Sequence, residues 1–407
     1  MAALLQWGML LRLALAASTA APPPHPIDDL RVEHMPSPVL GVDPERPPRL
    51  SWRLASDSAP AQRGAASTGY EIEAVRHEGA TPSLAWQSGR VAASSATAAL
   101  WGGAPLRAEA LYSWRVRHFP SPSEPSPWSE PAFFLTAPNQ STWRAETSWL
   151  NGSLGMLRRD FHLPQASVAH ATLFASTIGF QELYINGELL GDQRRYLYEP
   201  GQSAYYYRSL VTTIDVTKQL RAQQGPGTLG AMLGNGPCSV LGKAQSLGSG
   251  SGSGVAPSCH DYGDVTMLCC KRGKMEAKAF RAILSVTLAD GSVFRVTTSE
   301  GAGWQTATGP VVEDDLYMGE VYDARQERPG FFAHGYEGKG VVPATVIAPQ
   351  PSGEGANVNP NALMSAQMMP DIAVTGSFEP VAVNRVAEGV AVYEFERYMS
   401  GRCTLSL

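Results

Sequence analysis

The tightest constraint in this sequence is a recurrent two-residue period. Arg49-Leu50-Ser51-Trp52-Arg53-Leu54, Tyr70-Glu71-Ile72-Glu73-Ala74-Val75 and Tyr112-Ser113-Trp114-Arg115-Val116-Arg117 alternate between two kinds of side chain, and Gly, Pro, Asn and Asp stand between such runs. A strand sends successive side chains to opposite faces, so each run buries one row and wets the other. Leu50, Trp52 and Leu54 fall on one face, Ser51 and Arg53 on the other. Long stretches of helical period are scarce, and 40 Gly with 31 Pro supply the turns that many short strands need. The expectation is an all-β chain of tandem β-sandwiches.

The runs group into units. Residues 26–137 read as a fibronectin type III-like β-sandwich, with Trp128-Ser129-Glu130 ahead of its last strand Ala132-Phe133-Phe134-Leu135. A junction at Pro138–Thr142 leads into a second sandwich over 143–330, of the jelly-roll-like carbohydrate-binding type. Its clearest marks are the hairpin signals Asn186-Gly187 and Asp290-Gly291, each between alternating runs. Residues 246–277 read as a flexible insertion, where Gly and Ser alternate from Gly248 to Gly254. That stretch contains G-x-G-x-x-G, but no strand-to-helix context surrounds it, so a dinucleotide site is not expected. Residues 331–407 read as a partial third sandwich, with strand-like runs at 371–378 and 390–395 and a chain end inside another run.

With 407 residues, 43% hydrophobic and 17% charged, the chain has material for two or three globular cores. A formal net charge of -5 and the lack of a basic stripe argue against nucleic acid as a partner. Residues 1–21 read as a signal peptide, apolar from Ala2 to Ala17 with small residues at Ser18-Thr19-Ala20, so a secreted protein is expected. No later stretch is long and apolar enough for a membrane helix. Of the five cysteines, Cys238, Cys259, Cys269 and Cys270 crowd one segment and Cys403 stands apart, a pattern that suits local disulfides better than a zinc site. Asn139-Gln140-Ser141 and Asn151-Gly152-Ser153 are glycosylation sequons.

Two chemistries are open to these residues. Glu313-Asp314-Asp315 with Glu320 and Asp323 could supply an acid and a base for hydrolysis, although a solvated turn is the simpler account. Sugar binding suits the aromatic residues better, since a flat ring stacks on the apolar face of a pyranose. Tyr196, Tyr198, Tyr205, Tyr206, Tyr207 and Trp304 supply rings, although core packing is the commoner fate of such residues, and strand alternation lets Tyr205 and Tyr207 share a face.

Several strings together resemble the N-terminal, non-catalytic region of bacterial-type α-L-rhamnosidases. They are Pro48-Arg49-Leu50-Ser51-Trp52-Arg53-Leu54, Trp86-Gln87-Ser88-Gly89-Arg90-Val91, Tyr184-Ile185-Asn186-Gly187, Leu233-Gly234-Asn235-Gly236 and Gly319-Glu320-Val321-Tyr322-Asp323-Ala324-Arg325. The resemblance implies a fibronectin-like module, a rhamnosidase N-terminal sandwich and a further sandwich. In the family an α/α barrel follows and hydrolyses terminal α-L-rhamnosides with inversion, using two carboxylates. No paired-helix pattern for that barrel occurs in this chain. The implied function is therefore a carbohydrate-binding or structural portion of such a hydrolase, without catalysis of its own. The alternative is an N-terminal fragment of a complete enzyme, with the barrel on a longer product. The expected partner is a rhamnose-containing carbohydrate. The resemblance also places Asn186 and Asn235 in turns equivalent to ligand loops, where calcium would help hold the sugar. The expected binding set is Asn186, Tyr205, Tyr207, Asn235 and Trp304, with no cofactor other than that calcium.

Overall fold

The computed structural model describes residues 27–403, apart from 55–66, 78–81, 94–96, 192–199, 202, 204, 206, 223–224, 237–269, 272–273, 276–277, 316–318, 348–361, 371 and 402. The expected signal peptide, most of the insertion, Tyr196, Tyr198, Tyr206 and the clustered cysteines other than Cys270 lie outside the described residues.

Nine strands build the first sandwich. They are β1 (Ile27–Val32), β2 (Met35–Pro36), β3 (Val39–Val42), β4 (Arg49–Leu54), β5 (Gly69–His77), β6 (Ser83–Gln87), β7 (Ala99–Leu100), β8 (Leu111–Phe119) and β9 (Ala132–Thr136). One sheet runs β2-β1-β4-β7, the other β3-β9-β8-β5-β6. The alternation in β4 holds for Leu50 and Trp52, which are buried, and for Arg53, which turns outward to pair with Asp28, while Ser51 on the Arg53 side is buried as well. Trp52 meets Trp114 edge to face at 6.4 Å between the sheets. A buried ring of this size contributes roughly 4–6 kcal/mol of apolar burial. Trp128 has a different task. It lies under the guanidinium groups of Arg115 and Arg117, at 4.8 and 4.7 Å from its ring. The flanking hydroxyls of Ser126 and Ser129 accept from His118 N and Val116 N, which satisfies the end of β8 that β9 does not reach.

The junction holds a helix, α1 (Gln140–Glu146), that strand periodicity does not reveal. Asn139 caps it by accepting from Thr142 N. Trp143 faces inward.

The second sandwich is larger. Its strands are β10 (Leu150–Asn151), β11 (Gly155–His162), β12 (Val168–Ile178), β13 (Phe180–Ile185), β14 (Glu188–Leu189), β15 (Arg208–Asp215) and β16 (Pro226–Gly234), with helix α2 (Thr217–Ala222) between the last two. Beyond the short pair β17 (Cys270–Lys271) and β18 (Lys274–Met275) come β19 (Ala279–Leu288), β20 (Val293–Thr297) and β21 (Gln305–Thr308). After the separate hairpin of β22 (Val311–Asp315) and β23 (Gly319–Tyr322), β24 (Val342–Pro343) and β25 (Leu363–Ala366) return to the sheets. One sheet is β10-β19-β12-β15-β25, with β20 also on β19; the other is β14-β13-β16-β11-β21-β24. Leu157, Leu173, Leu183, Ile185, Leu229, Ala231, Leu284 and Trp304 fill the space between them.

Past residue 330 the chain does not simply start a new unit, because β24 and β25 complete sheets begun far upstream. Of the two late runs, 390–395 contains the whole of β27 (Val390–Glu394), but the described part of 371–378 holds no strand, and the partner of β27 is β26 (Ala382–Ala387).

The two sandwiches share an apolar seam of Leu111, Phe133, Leu135, Trp143, Trp149, Phe174, Tyr205, Val211, Ile283 and Met364. Arg295 clamps the seam's edge, donating to both carboxylate oxygens of Glu146 and to Glu109. Gln140 closes the other side through two hydrogen bonds to the Met364 backbone, at 2.7 and 3.0 Å.

Candidate functional site

Asn186 and Gly187 turn β13 into β14, with φ of 55° and 83°. Positive φ at both positions is what a tight two-residue hairpin needs. The Asn186 carboxamide is spent on the fold, since its Oδ1 accepts from Thr228 N at 2.8 Å. Asn235 sits at the other end of the same ladder. Strand β13 pairs with β16 from Phe180↔Gly234 to Ile185↔Leu229. Five steps of about 3.3 Å put the two turns roughly 16 Å apart. One calcium between Asn186 and Asn235 is therefore ruled out by register. Asn235 instead donates from its backbone N to Asp314 Oδ1, and from Nδ2 to Asp314 O and Oδ2 at 3.0 and 3.1 Å. Lys278 supplies the charge there, 3.5 Å from Asp314 Oδ2.

The expected rings separate as well. Tyr205 is 1% exposed in the seam between the sandwiches, and burial pushes its hydroxyl up to about 12. Tyr207 is 73% exposed. The backbone at both residues is a turn, and β15 starts only at Arg208, so the alternation that would align them does not apply. Trp304 stacks edge-on against Phe280 at 5.7 Å and donates from Nε1 to Thr297 O. At 4% exposure it presents no face to a sugar. Tyr205 and Trp304 are thus core residues, which corrects the expectation for both.

The acidic cluster is spread along the β22–β23 hairpin, where Asp314 pairs with Glu320 across the ladder. Asp323 caps the three-residue turn that follows, and Arg325 and Gln326 hold its carboxyl down at about 2. Asp28, Asp160 and Asp290 are also shifted downward, the opposite of what a general acid requires.

A better organised cluster lies on the outer face of the β14-β13-β16-β11-β21-β24 sheet. Arg158 of β11 is fully buried there, because residues 331–336 cross over it. Its guanidinium donates to Gln305 Oε1, to Ala333 O and to Tyr336 O, and pairs with Asp160. Phe331 and Tyr336 lie near its plane, at 6.0 and 5.9 Å. Asp160 also accepts from Thr228 Oγ1 at 2.6 Å and from Gly335 N. Burial alone would raise the Asp160 pKa, but the bonds from Thr228 and Arg158 outweigh it and leave it lowered. Alternation marks Arg158 only as a polar residue. The sequence signal for the crossing strap is the adjacent pair Phe331-Phe332, with Tyr336 close behind.

Comparison with known proteins agrees with this architecture. Residues 27–140 match the family described as the Rha78A-like N-terminal immunoglobulin domain. Residues 166–375, just over half the chain, match the α-L-rhamnosidase N-terminal domain. The chain belongs to this α-L-rhamnosidase N-terminal domain family. An α-L-rhamnosidase of Formosa agariphila is 24% identical over 350 residues, covering 79% of this chain and 33% of the relative. One from Streptomyces avermitilis is 31% identical over 223 residues, covering 52% of this chain and 18% of the relative. The rhamnosidase-type chain here thus spans a third or less of these relatives. Among solved structures, the α-L-rhamnosidase from Dictyoglumus thermophilum superposes with a TM-score of 0.68 at 23% identity, over 91% of this chain and 38% of that one. The Streptomyces avermitilis enzyme complexed with L-rhamnose gives 0.67 at 18% identity, over 90% and 48%. At these identities the likeness is one of fold.

Proposed function

We propose that this chain is a secreted, non-catalytic saccharide-binding and structural region of an α-L-rhamnosidase-type glycoside hydrolase, engaging terminal rhamnose. The match of residues 166–375 to the rhamnosidase N-terminal domain carries the reading. Two features support it. Inverting hydrolysis needs one carboxyl held protonated near neutral pH, opposite a second that activates water. The carboxylates with resolved shifts move the other way. The apolar run from Ala2 to Ala17 suits export.

The second reading makes the same region the front of a complete inverting rhamnosidase, and the greater length of the relatives favours it. Both readings place hydrolysis outside the residues present here. The test is isothermal titration of the purified chain with L-rhamnose, with and without calcium, beside a chromogenic rhamnoside assay. Saturable heat without turnover is expected. Turnover by this chain alone would overturn the non-catalytic assignment, and the absence of heat would reduce the region to a structural role.

A further inference from the structure

Arg281 of β19 is a buried cation that none of the expected site residues accounts for. It is 3% exposed. Its partner across the ladder on β12 is Ser176, and their strand neighbours Phe174, Ile178, Ala279 and Ile283 all line the seam between the sandwiches, so Arg281 and Ser176 face that seam too. Trp143 and Trp149 flank the guanidinium, with Cζ 5.9 and 5.8 Å from their rings. Nε donates to Thr147 Oγ1 at 2.6 Å, and Nη2 donates to the carbonyls of Trp143 and Thr147, which closes the C-terminal end of α1.

Every one of these partners is neutral. They take the N–H groups of Nε and Nη2, and among the described residues Nη1 has no acceptor and no carboxylate pairs with Arg281. Glu146, the acid of α1, gives both its oxygens to Arg295. Burial and the nearby charge of Arg144 push the Arg281 pKa down to about 10, which leaves the group charged at neutral pH. Two more donors stand beside it. Ser176 Oγ and Trp149 Nε1 are both fully buried and neither has a hydrogen-bond partner. A buried donor without an acceptor costs free energy, and a buried cation without a counter-charge costs more. Guanidinium, hydroxyl and indole N–H share one need, an acceptor that carries negative charge.

We propose that Arg281, Ser176 and Trp149 form a binding site for a small monovalent anion of the halide class in the seam between the two sandwiches. One cation matches one negative charge. Ser176 and Ala279 are small side chains beside Arg281 on this face, while the apolar residues of the seam disfavour a larger or more strongly hydrated ion. The anion ties the junction segment, which carries Trp143 and Trp149, to the β12–β19 face. The site does not depend on the saccharide reading.

The test follows thermal unfolding of the full chain in sodium chloride and in sodium gluconate at equal ionic strength, and searches crystals soaked in sodium bromide for anomalous scattering beside Arg281 Nη1. Expected are a bromide peak there and a Tm about 2–4 °C higher in chloride. Ser176→Ala and Trp149→Phe each remove one donor and keep the packing. Each should at least halve the chloride-dependent rise, with circular dichroism in gluconate unchanged. Arg281→Met also uncaps α1, so the two milder variants decide. A rise that persists in full in both variants overturns the site. Equal Tm in the two salts, with no bromide peak, also overturns it and assigns the free donors to water.

Discussion

Replacing Arg158 with Met tests how the strap of residues 331–336 is held. The substitution keeps an unbranched apolar stem and removes the guanidinium and its charge. It deletes two good hydrogen bonds, to Gln305 Oε1 and Ala333 O at 2.9 Å each, and the ion pair with Asp160. The contact to Tyr336 O, at 3.5 Å, lies at the limit and is counted as nothing. Removing one member of a buried pair costs about 3–5 kcal/mol, largely because the other charge is stranded. Asp160 is partly exposed and keeps Thr228 and Gly335 as donors, so the low end, about 3 kcal/mol, applies. For a body of this size that is a fall in Tm of about 6 °C. Urea unfolding followed by tryptophan fluorescence reads the stability, and hydrogen exchange reads the strap. Faster exchange at residues 331–336 should accompany the loss. A cost below about 1 kcal/mol with unchanged exchange there would refute the idea that Arg158 anchors the strap.

Acid should weaken the fold before any carboxylate titrates. His77, His118 and His170 all have pKa values lowered by burial; His170 is faced by Asp215, which opposes the shift, and Arg221, which adds to it. Above about pH 6.5 both folded and unfolded histidines are neutral, so nothing is lost. Below it the unfolded chain takes up protons that the folded one refuses, and stability falls with pH. Thermal unfolding between pH 7 and 5 should show Tm dropping toward the acid side, and a flat or rising profile would contradict the buried, neutral assignment. Gly41→Ala tests the seam between the sandwiches. Gly41 has φ of 82°, and a Cβ there would come within 2.3 Å of Thr213 Oγ1. A loss of about 1–3 kcal/mol in urea is expected from strain and overpacking; a change under about 0.5 kcal/mol would mean that the sandwiches re-seat freely.

Much of this molecule follows from nearest-neighbour physics. Alternation places Leu50 and Trp52 inside and Arg53 outside, whatever the rest of the chain does. Asn186-Gly187 announces its hairpin because few other residue pairs take up positive φ at both positions cheaply, and Gly291 supplies the one positive φ that the turn between β19 and β20 uses. The ordered strings that resemble rhamnosidases point to the family that the residue 166–375 match then shows.

The site was much less legible, and the reason is geometric. A period of two says which side chains share a face, but not which face a distant segment will cover. Trp304 and Tyr205 looked like free rings until the opposing sheet and the neighbouring sandwich closed over them. Asn186 and Asn235 looked like partners until the β13–β16 register set them at opposite ends. Arg158, a polar residue in an alternating strand, is buried by residues about 175 positions away. Tyr184 and Phe332 stack together from two segments far apart in the chain, and no local pattern links them. The sequence alone determined most of the strands, the hairpin turns and the family; only tertiary structure decided which surfaces stay open, because that depends on contacts between residues far apart in the chain.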